Sequence, residues 1–181
     1  MRGQAARFAN PHPMPAYRDR KAPGAPRFIC DEMLKRLARW LRAAGFDTLV
    51  HDHGANDRAM VARARSEGRL VMTRDRKLAE LRDADGTVIV LRANTLEDVV
   101  EELTAALDLD WLYRPFSRCL VCNTPLVEAD APARARLPEG AGVPPGPVHA
   151  CLVCDKLYWA GGHVRRMRAR LETWARTAPA P

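Results

Sequence analysis

Four of the five cysteines stand in two Cys-x-x-Cys pairs, Cys119 with Cys122 and Cys151 with Cys154, and this spacing constrains the fold more than any other feature. Such a turn sets two sulfurs on one side of an ion, and two turns complete a tetrahedral shell, so the pattern predicts a structural Zn²⁺ in a Cys₄ zinc ribbon. The 28 residues between Cys122 and Cys151 exceed the about 15 to 20 of a common ribbon. The excess is a Pro/Gly/Ala-rich stretch, Ala129 to Pro147, read as an enlarged loop. His149 and His163 could substitute as ligands, but a closed four-thiolate site needs neither and leaves no open position for catalysis. Cys30, left over, lies in an apolar run and reads as a small buried hydrophobe.

Paired thiols of this kind fit a metal site better than a secreted disulfide framework. The N-terminus carries no apolar stretch of the signal-peptide type, and no apolar run approaches the about 20 residues of a membrane span. These features predict a cytoplasmic protein without membrane contact. The net charge of +7 is unevenly distributed: residues 1–27 hold six Lys/Arg against one acid, residues 28–118 fifteen against sixteen, and residues 119–181 eight against five. Basic flanks around a carboxylate-rich centre suit a polyanionic ligand that must still meet a metal.

Residues 1–26 contain five prolines and little apolar periodicity, and read as a disordered basic extension. From Arg27 onward strand and helix patterns alternate. Phe28 to Cys30 reads as a strand and Glu32 to Ala44 as a helix stopped by Gly45. Thr48 to Val50 is a second strand, followed by a helix capped by Asn56 or Asp57 and ended at Gly68. Leu70 to Thr73 is a third strand, Arg76 to Leu81 a short helix, and Thr87 to Leu91 a fourth strand. A helix opens at Thr95 and turns Leu96, Val99, Val100, Leu103 and Leu107 inward. Alternation of this kind predicts an α/β domain with a parallel sheet and helices on both faces. Beyond the cysteines, residues 163–176 read as a basic helix with Val164, Met167, Leu171 and Trp174 along one side.

In a parallel sheet the loops that follow the strands open on one rim, where active sites form. Asp31 follows the first strand, Asp57 lies at the helix start after the second, and Asp75 follows the third. Three segments thus deliver carboxylates to one edge, and carboxylate oxygens suit Mg²⁺ or Mn²⁺ acting on a phosphodiester. Singly, Asp57 and Asp75 could be no more than helix caps. Glu32 and Asp52 are weaker candidates, and Arg74 could bind a phosphate or neutralise the acidic rim. No phosphate-binding Gly-rich loop, dinucleotide fingerprint or nucleophile elbow is present in the sequence.

The run Asp31-Glu32-Met33-Leu34-Lys35-Arg36-Leu37-Ala38-Arg39-Trp40-Leu41-Arg42, then Gly45-Phe46-Asp47 and Thr73-Arg74-Asp75, resembles the Mut-seven C-terminal ribonuclease domain, a PIN-like nuclease. Arg118-Cys119 to Asn123 and Cys151 to Met167, with Tyr158-Trp159 and Gly161-Gly162-His163 between, are similar to the zinc ribbon fused to that domain. The resemblance spans residues 27 to 170. It implies a PIN-like domain over residues 27–114 and a zinc ribbon with its basic helix over residues 115–176. It also implies an RNase directed at single-stranded RNA, with Mg²⁺ or Mn²⁺ held by Asp31, Asp57 and Asp75. Lys35 departs from the small residue the family often carries there.

The expected function is therefore hydrolysis of RNA at the three aspartates, with Arg74, Arg165 and Arg166 binding substrate and the zinc ribbon assisting. The alternatives are a non-catalytic adaptor binding RNA or the ribosome, and a protein-docking module.

Overall fold

A computed structural model describes residues 24–51, 56–81, 83–138, 144 and 146–177. Asp52 and nearly all of the basic N-terminal extension lie outside the described residues.

Three consecutive buried side chains, Phe28, Ile29 and Cys30, form β1 (Phe28–Cys30) at the centre of the molecule. It pairs in parallel with β2 (Thr48–Val50) on one side and β3 (Leu70–Thr73) on the other, and β3 pairs in parallel with β4 (Val88–Val90). The order β2-β1-β3-β4 is that of a parallel sheet wound outward in both directions. Alternate strand residues point to opposite faces. Phe28, Cys30, Leu70, Met72 and Ile89 meet α1 (Lys35–Ala44) and α4 (Leu96–Leu107). Ile29 and Val71 meet Met60, Val61 and Ala64 of α2 (Asp57–Glu67) and Leu78 of α3 (Arg76–Ala79). Helices thus cover both faces, as expected for strands that are apolar throughout.

The boundaries differ from expectation in small, explicable ways. The first helix opens with a 3-10 turn, Glu32–Leu34, because Asp31 caps it before α1 begins. As expected, α1 ends at Gly45, whose φ of 103° is left-handed and whose missing Cβ leaves room for the backbone carbonyl of Arg114. Asn56, not Asp57, caps α2, accepting from the Arg58 amide at 2.8 Å.

Past Trp111 the chain forms a three-stranded antiparallel sheet of β5 (Val127–Glu128), β6 (His149–Ala150) and β7 (Leu157–Tyr158). The segment read as an enlarged loop contains one helical turn, α5 (Ala131–Arg134), capped by Asp130 with a proline in its first turn. The last helix, α6 (Gly162–Thr177), follows the ribbon in sequence but buries Met167, Leu171 and Trp174 in the main core. The Trp174 ring meets Trp40 of α1 edge-on at 4.7 Å and Trp111 at 5.1 Å. Among the described residues no helix is long and apolar enough to cross a membrane.

Candidate active site and metal centre

The carboxyl ends of β1 and β3 lie side by side, since Cys30 pairs with Met72. The next residues carry Asp31 and Asp75 onto the same rim. Thr73, fully buried, joins them. Its Oγ1 donates to Asp31 Oδ2 at 3.0 Å and accepts from the Asp75 backbone amide at 3.0 Å. Asp31 Oδ1 lies 3.4 Å from the Met33 amide and Asp75 Oδ1 accepts from the Lys77 amide at 2.8 Å, so each carboxylate also caps its own turn. One oxygen of each is thereby oriented by its local helix start. Asp57, the first residue of α2, is exposed.

The three carboxylates do not come mutually within 4.8 Å, and among the described residues only the four cysteines form such a group. A hard divalent ion does not require all three, because Mg²⁺ commonly takes one or two carboxylates and completes its shell with water and substrate phosphate. The donor set at Asp31 and Asp75 fits that mode. Glu32 bonds Lys35 at 2.5 Å. Arg74 donates through Nη2 to the carbonyls of Ala93 and Asn94, each at 3.2 Å, which ties the rim to the loop after β4.

The four cysteine sulfurs converge: Cys119 lies 3.4 Å from Cys154, and Cys122 lies 3.3 Å from Cys151 and 3.8 Å from Cys154. A tetrahedron of about 2.3 Å Zn–S bonds has edges of about 3.8 Å, so the set fits Zn²⁺. Each Cys-x-x-Cys turn is followed by a residue in the left-handed region, Asn123 at φ 71° and Asp155 at φ 55°, the two residue types that tolerate it best after glycine. These turns aim amides at sulfur. Although burial opposes it, the Cys122 amide, the Tyr158 hydroxyl and the Val121 amide bring the Cys119 thiol down to about 6. Tyr158 accepts from the Leu120 amide at 3.0 Å and lies 3.2 Å from Cys119 Sγ, leaving its proton for the sulfur. Cys122 is lowered as well, whereas burial and hydrogen bonds with Cys119 and Cys151 push Cys154 up to about 12, so a metal cation would have to displace a proton there. Burial likewise pushes the Cys30 thiol up to about 12, in keeping with a core residue.

A group of polar residues to which the sequence alone assigned no role fastens the first cysteine turn to the parallel sheet. Arg42, 6% exposed, donates through Nε to the Thr48 carbonyl at 2.8 Å and through Nη1 to the carbonyls of Leu120 at 3.3 Å and Val121 at 2.6 Å. Asn123 accepts from the Thr48 amide at 3.0 Å and donates to Asp47 Oδ1 at 2.7 Å. Arg69 grips both Asp47 oxygens, at 2.8 and 3.1 Å. Desolvation alone would raise the Asp47 carboxyl, but hydrogen bonds from Arg69 and Asn123 and the nearby Arg69 and Arg118 charges hold it below the ordinary carboxylate range. The one local sign was Asn123, directly after the first cysteine pair.

Of the other expected residues, Arg165 and Arg166 are exposed on α6, and His163 stands 3.0 Å from Arg39 of α1, so basic side chains of α1 and α6 share one surface. Arg170, on the same helix, is paired with Glu97 and set over the Trp40 and Trp174 rings at 5.6 and 5.5 Å.

No solved structure matches the chain. A curated relative, the human exonuclease mut-7 homolog, is 23% identical over 238 aligned residues, covering 86% of this chain. The chain spans only 26% of that protein's length. The Mut7-C RNAse domain family matches residues 26–171, which take in the parallel sheet, the aspartate rim and all four cysteines. The chain belongs to the Mut7-C RNAse domain family.

Proposed function

We propose that the chain is a ribonuclease that hydrolyses single-stranded RNA with Mg²⁺ or Mn²⁺ held at Asp31 and Asp75, and that Zn²⁺ in the Cys₄ site is structural. The observation that carries this reading is the Thr73 hydroxyl, which holds the Asp31 carboxylate on one side and the backbone of Asp75 on the other, so that two acidic residues from adjacent strand ends stand on one rim. A divalent ion held there would lower the pKa of bound water and offset charge on the phosphoryl oxygens. The protein's own share is orientation. Thr73 sets the Asp31 oxygen, and the helix caps fix the rotamers of both carboxylates. Asp57, exposed at the first residue of α2, is the third carboxylate of this reading and would meet the ion through water. Water adds to phosphorus and gives up a proton to solvent, the phosphorus–oxygen ester bond breaks, and the released ribose oxygen takes up a proton from solvent. Arg74, Arg165 and Arg166 contact the phosphate backbone, and the setting is the cytoplasm.

The separation of the three carboxylates keeps a second reading in view, an RNA-binding adaptor without catalysis. A mixed single-stranded RNA pool incubated with the zinc-loaded protein and Mn²⁺ separates the two. Cleavage that disappears in Asp31→Asn and Asp75→Asn supports the ribonuclease. An uncut pool that is nevertheless retained by the protein supports the adaptor.

A further inference from the structure

A cavity of about 320 Å³ opens at the edge of the parallel sheet opposite the aspartates, within the size range of small-ligand sites. It lies between the amino ends of β1 and β2 and the segment that leads into the first cysteine turn. Its lining includes Arg27, Asp47, Tyr113, Arg114, Ser117 and Arg118. Three arginines and one carboxylate therefore line the cavity. That carboxylate is bound by Arg69 and Asn123 and lies 3.8 Å from the Arg118 guanidinium, which leaves Arg114 as the one of the three whose guanidinium has neither an ion pair nor a hydrogen bond among the described residues. The excess positive charge is available to an anion. Arg114 is exposed, and Arg118, 23% exposed, donates to the Asn123 carbonyl at 3.0 Å, so the two heads are held at different depths. The side chain of Arg27 is anchored on the Glu67 carbonyl.

Tyr113 adds a second kind of recognition. Its ring lies parallel to Phe46, with centroids 5.5 Å apart and 10° between planes, and the residue is 42% exposed. One face is thus backed by a buried aromatic while the residue keeps a large open surface beside the arginines. A rigid aromatic surface next to arginines has the chemistry of a stacked base with its phosphate, the pattern of sequence-tolerant single-strand binding. The chain enters this cavity at Ala25 and Pro26, directly after a segment with five Lys/Arg and one acid.

We propose that this cavity is a second nucleic-acid site, in which Tyr113 stacks a base of single-stranded RNA and Arg114, with Arg27 and Arg118, holds the adjoining phosphate. It is a binding site away from the reacting bond, since β1 is three residues long and its two ends are about 10 Å apart through the sheet. An RNA long enough to pass around the sheet would reach both edges. The proposal rests on the reading that RNA is the substrate, and it concerns binding alone.

The test is the affinity of the full-length, zinc-loaded protein for a fluorescein-labelled oligouridylate, followed by anisotropy without added Mn²⁺. Tyr113→Ala and Arg114→Glu are each expected to weaken binding about tenfold, while Tyr113→Trp retains it. Arg114→Ala should also lower the slope of log affinity against log salt by about 0.7, the share of one phosphate contact on a single strand. Asp31→Asn and Asp75→Asn should not weaken binding, since without Mn²⁺ each only removes a negative charge from a rim that meets RNA. Unchanged affinity in Tyr113→Ala and Arg114→Glu, with wild-type melting curves, overturns the site even if the protein cleaves RNA. Absence of oligouridylate binding by the wild type overturns it too. If both variants lose affinity while Asp31→Asn and Asp75→Asn leave cleavage intact, the cavity stands and the catalytic assignment falls.

Discussion

Thr73 is the residue through which the candidate site is most directly tested at the level of a single atom. Its hydroxyl is spent on Asp31 and on the Asp75 amide, so removing it frees the Asp31 carboxylate to rotate without deleting a carboxylate. Thr73→Val is expected to reduce kcat for RNA cleavage by about 10- to 100-fold, the usual cost of losing an outer hydrogen bond to a metal-binding group, with Thr73→Ser close to wild type. Steady-state kinetics on one RNA substrate measures this, and equal losses in both variants would show that the hydroxyl is not what counts. Asp47 gives a pH-dependent counterpart. Its folded-state pKa is lowered, so the stability it contributes is complete above the ordinary carboxylate value and is lost as pH falls through the folded value. Asp47→Asn should therefore be less stable than wild type at about pH 7, and the gap should close towards about pH 3. Urea unfolding at the two pH values checks the sign.

Among the elements, α6 and the cysteine turns carry structural roles that differ from their position in the sequence. α6 follows the ribbon, yet Trp174 is packed between Trp40 and Trp111 of the main core. Trp174→Ala should cost about 3 to 5 kcal/mol in urea unfolding, the range for a buried aromatic, and should lower stability whether or not the ribbon holds zinc. The first cysteine turn is fastened to β2 through Arg42 and Asn123, whereas Leu152 and Val153 of the second are 73% and 69% exposed. Removal of zinc with a chelator should therefore raise hydrogen exchange across β6 and β7 first and spread to β2 next, leaving β1 and β3 protected. Simultaneous loss across the whole parallel sheet would contradict that order.

For the molecule as a whole, what could be read from sequence followed the range of the interactions involved. The four parallel strands were legible because each is a short, continuously apolar run, and helix starts at Asn56 and Thr95 were legible because capping is local. The cysteine centre was legible from spacing alone. The strands β5, β6 and β7 were not, because two residues are too few to display an alternating pattern. Nor was the fastening of the ribbon: Arg42 and Val121 are 79 positions apart, and nothing local marks a buried guanidinium on an otherwise ordinary helix. The aspartates lay between these cases. Their succession at strand ends pointed to one rim, but Asp31 and Asp75 are joined there through a threonine, while the three carboxylates together do not close into one group.

If RNA is cut at the aspartate rim and not at the zinc ribbon, cleavage depends on the aspartates and on an added divalent ion while zinc stays in place. The most direct measurement is the single-turnover rate of cleavage of one single-stranded RNA at increasing Mn²⁺, with zinc retained, for wild type, Asp31→Asn, Asp57→Asn and Asp75→Asn. Asp31→Asn and Asp75→Asn are expected to lower the maximal rate by at least about 100-fold, with a smaller loss for Asp57→Asn. A wild-type rate that does not respond to Mn²⁺, or one that Asp31→Asn and Asp75→Asn leave unchanged, would contradict cleavage at the aspartate rim.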